Sequence, residues 1–151
     1  MDMVKALLLA AASLGITHAA DFSLNFGPPV AAGMVAKNIQ SKGINTAVRA
    51  ENCSDPNKAA LTGTAEGIDK GVRRSIPLVI VEANTNVFAI LANWPADGSL
   101  WLLNVTGTCG TSASSATVAA NREGPLRDTI KRYSKKPTPA EIEADLKALV
   151  K

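Results

Sequence analysis

The feature that most constrains this chain is a series of short segments in which apolar and polar residues alternate, cut at intervals by Gly, Pro, Asn and Asp. Side chains along a strand point to opposite faces, so alternation of this kind marks strands with one buried face. Asp21 to Phe26 alternates around Phe22, Leu24 and Phe26, then stops at Gly27-Pro28-Pro29. Ile44 to Cys53 is strand-like and runs into a loop over Ser54 to Lys58. Leu61 to Ile68 and Val72 to Val81 flank Asp69-Lys70-Gly71, a hairpin turn with glycine where a left-handed residue is needed. Pro77 interrupts the second segment and belongs at an edge or a bulge, because it has no N–H to give a ladder. Val87 to Trp94 places Phe88, Ile90, Ala92 and Trp94 on one face. After the turn signal Pro95-Ala96-Asp97-Gly98, Leu100 to Cys109 does the same with Trp101, Leu103, Val105 and Cys109. Thr111 to Ala120 supplies one more strand. About seven short strands at this spacing predict a mainly β protein, an immunoglobulin-like antiparallel β-sandwich over residues 21–120.

Two further stretches read differently. Val30, Met34, Val35 and Ile39 fit a short helix over Val30 to Lys42, ending at Gly43 and weakened by Gly33. At the far end, Thr138-Pro139-Ala140-Glu141 places an N-cap, a proline at the first helical position and a glutamate two residues on. Ile142, Leu146 and Leu149 then share a face. An amphipathic helix over 138–151, packed on the sandwich or on a partner, is expected. Residues 121–137 between them read as a basic linker.

Met1 to Ala20 has the layout of a cleavable secretory signal peptide. Lys5 supplies the positive start, Ala6 to Ile16 the uncharged centre, and Thr17-His18-Ala19 the small residues before a cut near Ala19 or Ala20. The apolar run is shorter than the roughly 20 residues that cross a bilayer, and no transmembrane span is expected. The mature protein is therefore placed outside the cytoplasm, secreted or periplasmic. Cleavage removes Lys5 and Asp2 and leaves the formal charge of +3 unchanged, too small to argue for nucleic acid or membrane by itself.

Export changes the meaning of the two cysteines. In an oxidising compartment Cys53 and Cys109 read as one disulfide closing a loop of about 57 residues, worth roughly 4 kcal/mol. Two free thiols are the other reading. Cys109 has an inward position by parity. Cys53 shares parity with Arg49 and Glu51, so it lies just past its strand or a bulge shifts the alternation. Cleavage also removes His18, the one histidine. That excludes Ser-His-Asp and Cys-His hydrolases and histidine-ligated metal centres from the mature chain. No catalytic residue, metal or cofactor is expected.

The stretch Val87-Phe88-Ala89-Ile90, Trp94-Pro95, Gly98, Trp101-Leu102-Leu103 resembles a hairpin of exported bacterial immunoglobulin-like modules of the FixH-like and YtkA-like type. The pattern Val48 to Cys53, Thr64-Ala65-Glu66-Gly67, Arg73-Arg74-Ser75 and Gly107-Thr108-Cys109 is also similar to uncharacterised secreted bacterial proteins. The likeness implies an exported sandwich and no particular activity. The chain departs from antibody-type domains in that Trp94 and Trp101 lie far from Cys53.

Among candidate sites, Arg122, Arg127, Lys131, Arg132, Lys135 and Lys136 face only Glu123 and Asp128 in the sequence. This stretch suits an anionic partner such as an envelope polymer, or is simply a solvated linker. Tyr133 is its one aromatic, so no base-stacking surface and no nucleic acid are expected. Trp94 beside its turn is a candidate sugar-stacking residue or a core residue. Glu51, Asp55, Glu66 and Asp69 offer carboxylates, with no spacing that selects a catalytic pair. Ser112, Ser114 and Ser115 lack a base. The sequence favours a non-catalytic exported module that binds a protein or envelope component. A small enzyme using carboxylates or lysines, and an envelope assembly subunit docked through its terminal helix, are the alternatives.

Overall fold

The computed structural model describes residues 21–29, 43–53, 57–95 and 98–149. Residues 1–20, the helix expected over Val30 to Lys42, and parts of two turns lie outside them. Among the described residues the strands are β1 (Ser23–Gly27), β2 (Ile44–Glu51), β3 (Ala59–Asp69), β4 (Val72–Pro77), β5 (Val79–Asn84), β6 (Val87–Leu91), β7 (Trp101–Cys109), β8 (Ser112–Asn121) and β9 (Gly124–Tyr133). One helix follows, α1 (Pro139–Leu149). The strands form two antiparallel sheets that pack as a β-sandwich, ordered β1-β2-β6-β5 and β4-β3-β7-β8-β9.

Alternation decides what the core contains. Phe22, Leu24 and Phe26 from the first segment are buried, as are Phe88 and Ile90 from β6 and Trp101, Leu103 and Val105 from β7. These inward faces of the two sheets meet in one continuous core. Gly67 of β3 permits this packing at one point. A Cβ there would lie 2.5 Å from the ring of Trp101, which is fully buried. The β3–β4 hairpin closes through Lys70 and Gly71 with φ of 52° and 82°. Two positive φ values match the twist of the flanking strands.

Cys53 and Cys109 form a disulfide with Cα atoms 5.7 Å apart. Cys53 lies beyond the end of β2, which resolves its parity without a bulge. Asn86, at a positive φ of 59° in the β5–β6 turn, pins this region. Its Nδ2 donates to the Cys53 carbonyl at 3.0 Å, and its Oδ1 accepts from the Ala59 N–H at 3.2 Å.

Three expectations are corrected. The segment Val72 to Val81 is two strands, because the chain leaves one sheet at Pro77 and enters the other at Val79. Pro77 therefore ends an edge strand, where its missing N–H costs no ladder bond. The segments on either side of Pro95 to Gly98 are not a hairpin. β6 pairs with β2 and β5, β7 pairs with β3 and β8, and the turn carries the chain between sheets. The stretch 121–137 is not a linker. Gly124 to Tyr133 forms β9, paired with β8, so the sandwich extends to residue 133 rather than 120.

α1 begins where the capping residues predict. Thr138 Oγ1 accepts from the Glu141 N–H at 3.2 Å, and Glu141 Oε1 accepts from the Thr138 N–H at 3.0 Å. The reciprocal pair satisfies two donors at the helix start. Ile142 and Leu146 are buried against Leu102 of β7, with Leu149 beside them. The helix thus lies on the outer face of the five-stranded sheet. Among the described residues, no helix is long and apolar enough to cross a membrane.

Candidate binding cleft

The outer face of the five-stranded sheet is polar, because the alternation that buries Ala65, Leu103 and Val105 inward turns their neighbours outward. Strand register aligns Thr64 of β3, Asn104 of β7, Thr117 of β8 and Lys131 of β9 in one row across the sheet. Glu66 of β3 stands opposite Ser75 of β4 and Leu102 of β7 in the next row. α1 covers part of this surface and is fastened to both of its edges by charged side chains.

On one edge, Arg73 of β4 joins two carboxylates. Its Nη2 lies 2.8 Å from Glu66 Oε1 and 2.7 Å from Glu143 Oε1 of the helix. Ser75 Oγ donates to Glu66 Oε2 at 2.6 Å. On the other edge, Asp145 accepts at Oδ1 from Lys131 Nζ at 3.1 Å and at Oδ2 from the Tyr133 hydroxyl and from Thr117 Oγ1 at 3.3 Å. The Lys131 ammonium also sits 5.3 Å from the centre of the Tyr133 ring. Ile142 and Leu146 of the helix are buried against its own domain.

Between the helix start and the sheet lies a cleft of about 480 Å³. Thr64, Glu66 and Asn104 form its floor. Arg73, Ile142 and Glu143 form one wall, and Lys136, Pro137 and Pro139 the approach to the helix. Burial pushes the Glu66 carboxyl upward, but the Ser75 hydroxyl and the Arg73 guanidinium outweigh it and hold the group below its ordinary range. Glu66 therefore stays ionised, with an oxygen committed to each neighbour. Two floor atoms are not committed. Asn104 Oδ1 is buried with no hydrogen-bond partner, and so is Thr64 Oγ1. The Thr64 hydroxyl is near enough to help keep Glu66 ionised, yet it makes no hydrogen bond of good geometry. Buried polar atoms without partners are uncommon, and each calls for an explanation.

The residues singled out from sequence are dispersed. Trp94 is 4% exposed and belongs to the core cluster, so it offers no stacking platform. Its ring follows the inward parity of Phe88 and Ile90 past the end of β6. Trp101 is also fully buried. Strand alternation and a bulge split the basic stretch. Lys131 turns to Asp145, and Arg132 Nη2 donates to Asn25 Oδ1 of β1 at 2.7 Å. Arg127 lines a separate cleft of about 400 Å³ with Arg49 and Asn25. Arg122 and Lys135 are exposed, and Lys136 alone of the six reaches the helix cleft. Ser115 is paired with Thr106 at 2.8 Å. Among the carboxylates read from sequence, Glu66 is the one placed in the helix cleft, and Glu143 joins it from outside that set. Thr64 and Asn104 were not singled out as ligand-binding residues. Their signal is an outward polar position next to Leu102, the residue that packs beneath α1.

Comparison with protein-family models, with curated proteins and with solved structures returns no match to this chain.

Proposed function

We propose that the protein is an exported, non-catalytic binding module with an immunoglobulin-like sandwich, and that the cleft beneath α1 is its ligand site. The observation that carries the site is the cleft itself, about 480 Å³ between the helix start and the sheet, which gathers Glu66, Arg73, Lys136 and Glu143 beside the apolar Pro137, Pro139 and Ile142. Its size is in the range of small-molecule sites.

Several features support the rest of the reading. The order β1-β2-β6-β5 parallels strands A-B-E-D of immunoglobulin constant domains, and β4-β3-β7-β8 parallels C′-C-F-G. The disulfide follows the second strand and ends the seventh, the two positions that an inter-sheet bridge joins in such domains. Trp101 lies on the seventh strand rather than the third, but it packs against Gly67 of the third. The disulfide fits an oxidising compartment, as does the leader-like Met1 to Ala20.

A carboxylate enzyme has one observation in its favour, since Glu66 and Glu143 converge on the cleft through Arg73. Their state argues the other way. A general acid needs a raised pKa, whereas Glu66 is held down. Its oxygens are occupied by Arg73 and Ser75, which makes it a brace for the sheet rather than a proton carrier. NMR with a panel of small fluorinated fragments tests the reading. Binders that shift the amides of Thr64, Asn104 and Ile142 and are recovered unchanged are expected. Binders that avoid the cleft, or are chemically converted by the protein, refute it.

A further inference from the structure

Two of the arginines dispersed by the fold, Arg127 and Arg132, meet a third, Arg49, on the opposite sheet. We infer that the cleft of about 400 Å³ on the outer face of the four-stranded sheet is a second binding site, for the phosphate group of an ester, held by Arg49, Arg127 and Asn25. It shares none of its described residues with the cleft beneath α1 and stands or falls by itself.

A backbone irregularity delivers Arg127. Ala119 of β8 stands opposite Leu126, and Thr117 stands opposite Lys131. β8 therefore spends Val118 alone where β9 spends Arg127 to Ile130. Thr129 holds this bulge shut. Its Oγ1 accepts from the Ala119 N–H at 2.9 Å and donates to the Leu126 carbonyl at 2.6 Å. Bulges re-aim side chains, and this one sends Arg127 off its own sheet to line a cleft built on β1 and β2. Arg49 arrives by regular alternation. Val48 and Ala50 are buried in the core, so Arg49 between them faces out of β2. Asn25 is its direct partner on β1.

What these three residues offer is donors. Both arginines are exposed, and neither side chain has an ion pair or hydrogen bond with another described residue. Arg132 Nη2 donates to Asn25 Oδ1 at 2.7 Å, which leaves Nδ2 as the group Asn25 has to give. Guanidinium forks match both carboxylate and phosphate. A carboxylate has two oxygens and is filled by one fork. A phosphate ester has three acceptor oxygens and takes donors from both arginines and the amide at once.

The lining also limits how much charge enters. Glu51 is its one acid among the described residues. It stands two residues along β2 from Arg49, about 7 Å away, and pairs with neither arginine. Arg49, Arg127 and Arg132 against this one carboxylate leave two positive charges over. A single phosphate ester matches that excess, and a polyanion such as nucleic acid exceeds it. Gly27, Ala47 and Val87 leave a flat apolar surface for the carbon part of the ester.

The test is an amide-detected NMR titration of the purified protein, at fixed ionic strength, with inorganic phosphate, glycerol 3-phosphate, glycerol and glucuronate. Sedimentation with vesicles of phosphatidylglycerol or of phosphatidylcholine accompanies it. Saturable shifts of the Asn25, Arg49 and Arg127 amides with glycerol 3-phosphate, and none with glycerol, are expected. Arg49→Gln and Arg127→Gln should each bind at least about tenfold more weakly. Both should keep the parent's remaining spectrum and melting temperature, because the replaced side chains are exposed. Lys147→Gln, which removes the same charge elsewhere, should bind as the parent does. Binding to phosphatidylglycerol vesicles that Arg49→Gln abolishes identifies the ester as a lipid headgroup. Binding of glycerol 3-phosphate without binding to vesicles identifies it as a soluble ester. Glucuronate binding as tightly as glycerol 3-phosphate overturns the phosphate assignment. An equal loss in Lys147→Gln, or titrations that leave these three amides unmoved, overturns the site.

Discussion

Replacing Asp145 by alanine removes the acceptor that ties α1 to β9. Three groups lose their partner: the Tyr133 hydroxyl, the Lys131 ammonium and Thr117 Oγ1. The tyrosine bond is charge-assisted and worth about 1.5–3 kcal/mol. The lysine pair adds little, because its side chain is 58% exposed. Thr117 is 1% exposed, so its hydroxyl is stranded unless the helix lifts and admits water. The sum is about 3 kcal/mol. It has a ceiling, since undocking the helix forfeits little more than the burial of Ile142 and Leu146, each about 1.5–3 kcal/mol. Urea denaturation measures the loss, and amide exchange over residues 139–149 shows whether the helix opens locally. The same cluster sets an alkaline limb. Burial and Asp145 raise the Tyr133 pKa in the folded state, and Asp145 and Tyr133 raise that of Lys131. Groups raised on folding contribute stability below their unfolded values, near pH 10, and lose it as pH climbs through the folded ones. Asp145→Ala should flatten that decline. A loss under about 0.5 kcal/mol, with the helix still protected, would refute the role assigned to this cluster.

Other outcomes follow from the same structure. Gly67→Ala forces the Trp101 ring or the β3 backbone to move and should cost about 1–3 kcal/mol in a thermal or urea melt. Trp94→Ala should cost about 3–5 kcal/mol, as expected of a core aromatic, and a neutral result by denaturation would return it to the surface. Joint replacement of Cys53 and Cys109 by alanine should lower stability by about 4 kcal/mol, and alkylation with mass analysis of the unreduced parent should find no free thiol. Glu66 works in the opposite direction from Tyr133: its lowered pKa adds stability that is present above the ordinary carboxylate range and lost as pH falls through the folded value.

Parity makes much of the core legible in the sequence. Phe22, Leu24 and Phe26, then Phe88 and Ile90, then Trp101, Leu103 and Val105, could be assigned inward because each run keeps its period over several residues. The helix start was equally readable, since its signal is local. β9 was hidden for a physical reason. Its register slips between Thr117 and Ala119 of its neighbour, so no alternation survives, and its charges are absorbed by distant residues such as Asp145 and Asn25. The switch between sheets at Leu78 was hidden as well, because Val79 and Ile80 suit either sheet. The cleft required knowing that Thr64 and Asn104 stand opposite each other and that the helix lies over their face. Neither fact is written in a span shorter than the domain.

The helix reaches from one edge strand of its sheet to the other. Glu143 meets β4, Asp145 meets β9, and Leu102 of the central strand lies between. It is a transverse brace whose two fastenings face water, with Glu143 and Lys131 side chains 51% and 58% exposed. Dissolved ions screen such pairs over about 8 Å at physiological strength. Salinity therefore acts on the exposed ion pairs of the brace, while the Tyr133–Asp145 bond and the stapled sandwich beneath are little touched. Concentrating the medium loosens the β4 end, which rests on the Arg73–Glu143 pair, ahead of the β9 end.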